Sequence, residues 1–278
     1  MPNYSLLVML SFISAAGAYF LTPLVIKLFR YRGQLQPNYR GESIPAGVGI
    51  IFALCALPAL AFYLALAGLS LADAAGFLLL QAAIFTLGML GLIDDLLGSP
   101  QVRGLKGHFR ALLSGQLTTG SLKAGGGLTC SLLISSFKSN SLAEIIVNTL
   151  ALALFTNLLN LLDLRPGRAI KFYLGLAAVT AFRTRLSGPI LPALPFIGAV
   201  IGYFPYDLRA QAMMGDAGSN MLGISAGILI LGQLDYQQRL IALLLLIMLH
   251  IIADTYSFSR LITRSRILTF LDHLGTRP

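Results

Sequence analysis

The chain has 278 residues, 56% of them hydrophobic and only 11% charged, with a formal charge of +9. Soluble domains carry roughly 25% charged residues, so the composition excludes an ordinary soluble enzyme. The apolar stretches are continuous rather than alternating, which excludes a membrane β-barrel. The class that remains is all-α, a polytopic transmembrane helix bundle, because a helix pairs its own backbone groups where no water reaches.

Each apolar run approaches the ~20 residues that a helix needs to cross a bilayer. In chain order the predicted spans are residues 5–29, 44–68, 73–96, 109–136, 141–159, 169–187, 189–205, 218–234 and 238–257. That gives about nine crossings, with eight to ten compatible with the slack at their ends. The first run is too long for a signal-peptide core and lacks a basic leader, so it reads as a retained helix. The fourth carries Ser114, Thr118, Thr119, Ser121 and the run Gly125-Gly126-Gly127, which predicts a broken, re-entrant or partly interfacial segment. Connections as short as Ser139-Asn140 leave no room for an extramembrane domain, so residues 1–278 read as one domain. Cys55 and Cys130 sit in apolar surroundings and read as buried thiols, not as a disulfide or a metal motif.

Orientation follows from Lys and Arg. Nine spans put fifteen of them on one face and five on the other, the five being Lys123, Lys138, Arg183, Arg185 and Arg239. The richer face is therefore expected to be cytoplasmic, with the N-terminus outside and the C-terminus inside a plasma membrane. Basic loops also meet anionic lipid headgroups, and no nucleic-acid partner is implied.

The acids fall on that same face. Only eleven are present, and Glu42, Asp94, Asp95, Asp163, Asp207, Asp216 and Asp254 all lie in its loops or at the helix ends beside them. A desolvated, unpaired carboxylate at a membrane helix end costs several kcal/mol, so such residues are functional candidates. Asp94 and Asp95 are adjacent, and a shared hard cation would relieve their repulsion. Asn157, Asn160 and Asp163 fall within an arc of about 120° on one helix, a polar stripe followed by the basic segment Arg165, Arg168 and Lys171. Gly215, Asp216, Gly218, Ser219 and Asn220 open the eighth span. Ser219 or Asn220 is expected to cap that helix, its free N–H groups to receive phosphate, and Asp216 to hold a magnesium ion bridging it. Asp254, Ser257 and Arg260 recur at helical spacing before the tail that ends near Asp272 and His273. Acids for Mg²⁺, basic groups for phosphoryl oxygens and an apolar groove for a lipid together describe metal-assisted phosphate chemistry.

Taken in order, these blocks resemble the polyprenyl-phosphate N-acetylhexosamine-1-phosphate transferase superfamily. That group includes the phospho-MurNAc-pentapeptide translocases and the N-acetylglucosamine-1-phosphate transferases of glycosyltransferase family 4. Gln36-Pro37-Asn38-Tyr39-Arg40 and the run at 44–50 look like its first cytoplasmic loop, and Asp94-Asp95 like its acidic pair. Residues 157–163 look like its Asn-rich segment, 215–219 like its glycine–aspartate loop, and 254–273 like its last cytoplasmic loop.

The resemblance implies transfer of a sugar-1-phosphate from a UDP-sugar to a polyprenyl (undecaprenyl) phosphate, initiating a cell-envelope glycan, with UMP released. It implies Mg²⁺, with Mn²⁺ as a substitute, and admits a homodimer. Asp94, Asp95 and Asp216 would be catalytic, with Asp216 and Asp95 at the metal. Asn38, Arg40, Lys106, Asn157, Asn160, Asp163, Arg165, Arg168, Gly215, Ser219 and His273 would contact substrates.

Three features depart from the pattern. The second acid of the Asp-Gly-Leu-Asp-Gly-Leu segment is missing, because the chain reads Asp163-Leu164-Arg165-Pro166-Gly167-Arg168. The histidine cluster is reduced to His273, and no span follows it. Arg165, Arg168 and Lys171 are thus candidates for recognising an anionic donor, against a purely orienting role. Two other classes fit parts of the pattern: a lipid or ion transporter, and an inactive relative serving as a scaffold.

Overall fold

The computed structural model describes residues 3–98, 107, 110–111, 113–256 and 258–276. Nearly all of it is helical. The long helices are α1 (Tyr4–Tyr31), α2 (Ile51–Leu66), α3 (Leu71–Leu97), α4 (Thr119–Lys138), α5 (Leu142–Leu162), α6 (Arg168–Thr184), α7 (Leu194–Leu208), α8 (Gly215–Leu231) and α9 (Tyr236–Thr255). Two short helices, α10 (Phe258–Thr263) and α11 (Arg266–His273), follow. Single 3₁₀ stretches, Val48–Ile50 and Gly188–Ala193, lead into α2 and α7.

Among the described residues, six stretches are long and apolar enough to cross a membrane: Tyr4–Tyr31, Val48–Leu66, Ala74–Leu97, Leu142–Leu162, Gly188–Leu208 and Tyr236–Thr255. The protein is therefore a helical membrane protein. The other three predicted spans also fall on helices, and each falls short of that standard for its own reason. Helix α8 has 17 residues, nearly all buried against neighbouring helices, so its surface faces protein and need not be lipid-like. Helix α6 also has 17 residues and carries Arg168, Lys171 and Arg183. Helix α4 is rich in Gly, Ser and Thr.

One expectation holds and one is corrected here. The predicted fourth span, 109–136, is broken: residues 110–111 and 113 are helical, a turn follows at Ser114-Gly115, and helix restarts as α4 at Thr119, opened by a capping box in which Thr118 and Ser121 bond each other's backbone N–H groups. Gly125, Gly126 and Gly127 lie inside it, and a Cβ on Gly126 would collide with Leu90 of α3, so this stretch gives close helix packing instead of a break. The second span does not begin as helix at 44. Strands β1 (Leu35–Pro37) and β2 (Ser43–Pro45) form an antiparallel hairpin with Gln36 opposite Ile44, which an all-α reading misses.

Helix α8 runs through the centre of the bundle, and its start is located by two sets of contacts. The backbone after β2 pairs with the loop before α8, through Met213 N–H to Pro45 O (2.8 Å), Val48 N–H to Met213 O (3.2 Å) and Gly49 N–H to Met214 O (3.0 Å). Beneath them, Phe52, Phe196, Tyr203 and Tyr173 meet edge to face at 5.3–5.8 Å and join α2, α7 and α6. The hydroxyl of Tyr203 donates to Ala212 O (3.3 Å), and that of Tyr173 pairs with Ser225 (2.8 Å), tying this core to the loop and to α8.

Candidate active site

The last turn of α3 brings Asp94 and Asp95 against the first turn of α8, which carries Asp216. The approach is so close that a Cβ on Gly91 would overlap the backbone of Asp216 and Ala217. Gly215 has a φ of +68°, and a Cβ there would press on the Asp95 carboxylate, so glycine is required on both counts.

Asp95 spends both carboxylate oxygens on this junction. It accepts from the N–H groups of Asp216 and Ala217, each at 2.9 Å. A carboxylate at a helix N-terminus is stabilised by the orphan N–H groups and the helix dipole. The expectation of free N–H groups waiting there for phosphate is thus corrected: the chain's own anion holds two of them, and Gly218 N–H bonds Met214 O (3.2 Å). Neither Ser219 nor Asn220 caps the helix. The Ser219 hydroxyl, fully buried, donates to Asn160 Oδ1 (3.1 Å) and links the polar stripe of α5 to α8.

Asp94 and Asp216 converge on a single cation. Lys123 Nζ donates to Asp94 Oδ2 at 2.7 Å and also to Asp216 Oδ2. The three side chains keep about a fifth of their surface exposed, so the cluster opens to solvent. The sequence reading placed Lys123 on the opposite face. It stands one turn inside α4, and because the continuous helix opens at Thr119, that turn lies at the acid end. Its signal in the sequence was a lone cation inside a stretch otherwise nearly free of charge.

Asp163 ends α5 as its C-cap. Burial pushes its carboxyl well above the ordinary aspartate value, and the charges of Asp207, Asp216 and Asp95 push it further. Asp207, buried near the end of α7, accepts from Gly167 N–H (2.6 Å) and fixes the turn into α6. The acid end therefore holds more carboxylate than Lys123 neutralises, a setting that favours binding of a further cation.

The remaining sequence candidates divide into three groups. Asn160, Gly215 and Ser219 belong to the cluster just described, while Asn157 is exposed on α5. Asn38, Arg40 and Arg165 gather around a small crevice of about 50 Å³ that Tyr39, Asp163 and Asp207 also line. Arg165 lies 4.5 Å over the Tyr39 ring and Arg40 5.2 Å from it. Asn38 Oδ1 is already engaged, accepting from the N–H groups of Arg40 (2.8 Å) and Glu42 (3.0 Å) to hold the hairpin turn.

Arg168 and His273 lie elsewhere. The buried Arg168 guanidinium forks onto Asp272, with Nε to Oδ1 and Nη2 to Oδ2 both at 2.7 Å, and its Nη1 reaches Ser259 (3.1 Å). Lys171 donates to the carbonyls of Leu271, Asp272 and Leu274, closing the end of α11. The pair expected to receive a charged donor is thus filled by the chain's own tail. His273 is exposed at the end of α11 beside Asp272. Lys106 and Ser257 lie outside the described residues, as does the Arg260 side chain.

The helices thus bring a converging set of carboxylates and a lysine to one end of the bundle. Residues 77–233 match glycosyl transferase family 4. That stretch covers more than half of the chain and contains Asp94, Asp95, Lys123, Asp163, Asp207 and Asp216, and the chain belongs to this family of polyprenyl-phosphate hexosamine-1-phosphate transferases. No curated protein sequence matches it.

Proposed function

We propose that the protein transfers a sugar-1-phosphate from a UDP-sugar to a polyprenyl phosphate at the membrane surface. The products are a polyprenyl-diphosphate-sugar and UMP, the first step of a cell-envelope glycan. The observation that carries this reading is the convergence of Asp94 and Asp216 on one cation at the α3–α8 junction. In the reaction an oxygen of the lipid phosphate attacks the phosphorus that bears the sugar, and the bond to the UMP oxygen breaks with its electron pair leaving on UMP. The chemistry needs alignment and charge neutralisation more than it needs a covalent nucleophile from the protein.

A divalent metal fits the donor set. Mg²⁺ is commonly held by one or two carboxylates, with waters and substrate phosphates completing its shell. Asp94 Oδ2 and Asp216 Oδ2 both reach the Lys123 ammonium, so they are spaced to share a cation, and the carboxylate surplus around Asp163 favours one. When bound, Mg²⁺ or Mn²⁺ would neutralise phosphoryl charge. Asp95 holds α8 in position with its carboxylate bonded to two N–H groups, which leaves Asp94 and Asp216 as the better-placed ligands. Lys123, displaced from between them, would bind phosphoryl oxygen. Arg165 and Arg40, around Tyr39 beside Asp163, would face the donor from the adjoining crevice. The acid-bearing end would face the cytoplasm, where nucleotide-sugars are made.

The test is release of UMP by the purified protein, given polyprenyl phosphate and a panel of UDP-sugars. Turnover should vanish with EDTA and return with Mg²⁺ or Mn²⁺. Turnover that persists without metal would remove the metal from this reading, and no turnover with any donor would remove the reading itself.

A further inference from the structure

A cavity of about 510 Å³ lies at the other end of α3, α4 and α8 from the acids. Its wall on α3 runs from Ala72 to Leu80, and a rise of ~1.5 Å per residue puts Leu80 about 20 Å along that helix from Asp94. The cavity therefore opens toward the opposite membrane leaflet. Its size suits a ligand, since binding pockets run from roughly 300 to 1,000 Å³.

Its walls are apolar, with Phe77, Leu80, Ile134 and Leu152 among them. Two cations line it, Lys138 and Arg239, and no Asp or Glu is among its described lining residues. Arg239 uses its Nε on the carbonyls of Leu231 (3.1 Å) and Leu234 (2.8 Å), which aims the guanidinium without consuming its outer N–H groups. Asn148 also lines the cavity and is 5% exposed. Its Nδ2 donates to Ser139 (2.8 Å), whereas its Oδ1 is buried without a partner. A buried amide oxygen left unpaired costs about 1–3 kcal/mol, so this wall is polar without being self-satisfied.

We propose that this cavity binds one anionic phospholipid of the leaflet opposite the acidic cluster. The acyl chain fills the apolar walls, and the phosphate meets Lys138 and Arg239. Phosphate with cationic side chains gives charge-assisted hydrogen bonds, and the absence of acid from the described lining favours an anion over a zwitterion. The proposal is independent of the transfer reaction.

Native mass spectrometry and thermal shift on the full chain in detergent test it, with phosphatidylglycerol, phosphatidylcholine of the same chains, and inorganic phosphate as probes. One phosphatidylglycerol per chain should be retained, and phosphatidylcholine should bind at least tenfold more weakly. Lys138→Gln and Arg239→Gln should each weaken phosphatidylglycerol roughly tenfold, the worth of one good hydrogen bond. Gly76→Leu should abolish binding while preserving helicity, because a Cβ at Gly76 meets nothing within 4 Å and the side chain grows into the cavity. Equal binding of the two lipids, or binding undisturbed by Gly76→Leu, overturns the proposal. So does inorganic phosphate alone raising Tm as much as the lipid.

Discussion

At one end of α3, α4 and α8, Asp94 and Asp216 share the Lys123 ammonium while Asp95 occupies the start of α8. At the other end of the same helices, Lys138 and Arg239 face an apolar cavity without acid among its described lining residues. The first end pairs part of its charge within the chain, Asp94 and Asp216 with Lys123 and Asp95 with two backbone N–H groups. Any phosphate or metal arriving there competes with bonds the chain already makes, so binding proceeds by exchange of partners, and the helices are held in register before substrate comes. The second end leaves charge and an amide oxygen unmatched, so it waits for a ligand from outside. Within one set of helices, the pairing of charges distinguishes a surface built for turnover from one built for occupancy.

Breaking the first end should have the largest effect. Asp216→Asn removes a shared carboxylate, and Lys123→Met removes the cation between two carboxylates. Each should lower kcat/KM for UMP release by about 10²–10³, the range found when one preorganised electrostatic group is removed. Lys123→Met should also destabilise the fold by about 1–3 kcal/mol, because Asp94 and Asp216 are left facing each other without a partner. The stability loss is read by thermal unfolding in detergent. A Lys123→Met variant with full activity would show that the ammonium is a structural filler only.

Asp95 sharpens the comparison, because its carboxylate is committed to the backbone. Asp95→Asn keeps one acceptor but turns an N–H toward another N–H, and should cost about 1–2 kcal/mol of stability, as loss of a helix cap does. Its effect on KM for metal should be smaller than that of Asp94→Asn. The reverse order, read from Mg²⁺ titrations of activity, would return the metal to Asp95.

Much of this was legible from residue types. Hydropathy located every long helix, since helix-length apolar runs have no other stable form in lipid. The acids stood out because carboxylates are rare in such a chain, and the geometry brings Asp94, Asp95 and Asp216 to one junction. What could not be read was partnership across the bundle. Lys123 stands 29 residues from Asp94 and 93 from Asp216, and only the true start of α4 brings it to them. The hairpin at 35–45 was missed because three-residue strands ending in proline carry no periodicity to detect. Arg168 read as a donor ligand because the sequence could not reveal that Asp272, 104 residues later, fills its fork.

That ion pair supports the smallest and most specific prediction. Arg168 bonds Asp272 twice and Ser259 once, while Lys171 closes α11, so one carboxylate, one hydroxyl and three carbonyls of the tail hang on one turn of α6. Arg168→Ala should release the tail with a local cost of about 1.5–3 kcal/mol, seen as faster proteolysis after residue 256 with the helical core intact. Burial pushes Asp272 up, but the hydrogen bond and charge of Arg168, with Lys171 and His273 nearby, hold it below the ordinary aspartate value. A depressed carboxylate stabilises the folded form fully above its unfolded value of about 3.9, and that stability is lost as pH falls through the lower folded value. Tail release should therefore set in as pH drops below roughly 4 in the wild type, and should lose that dependence in Asp272→Asn. The double exchange Arg168→Asp with Asp272→Arg restores opposite charges and should recover part of the protection. If Arg168→Ala instead raises KM for the nucleotide-sugar while the tail stays protected, the fork serves the donor and the ion pair with Asp272 is secondary.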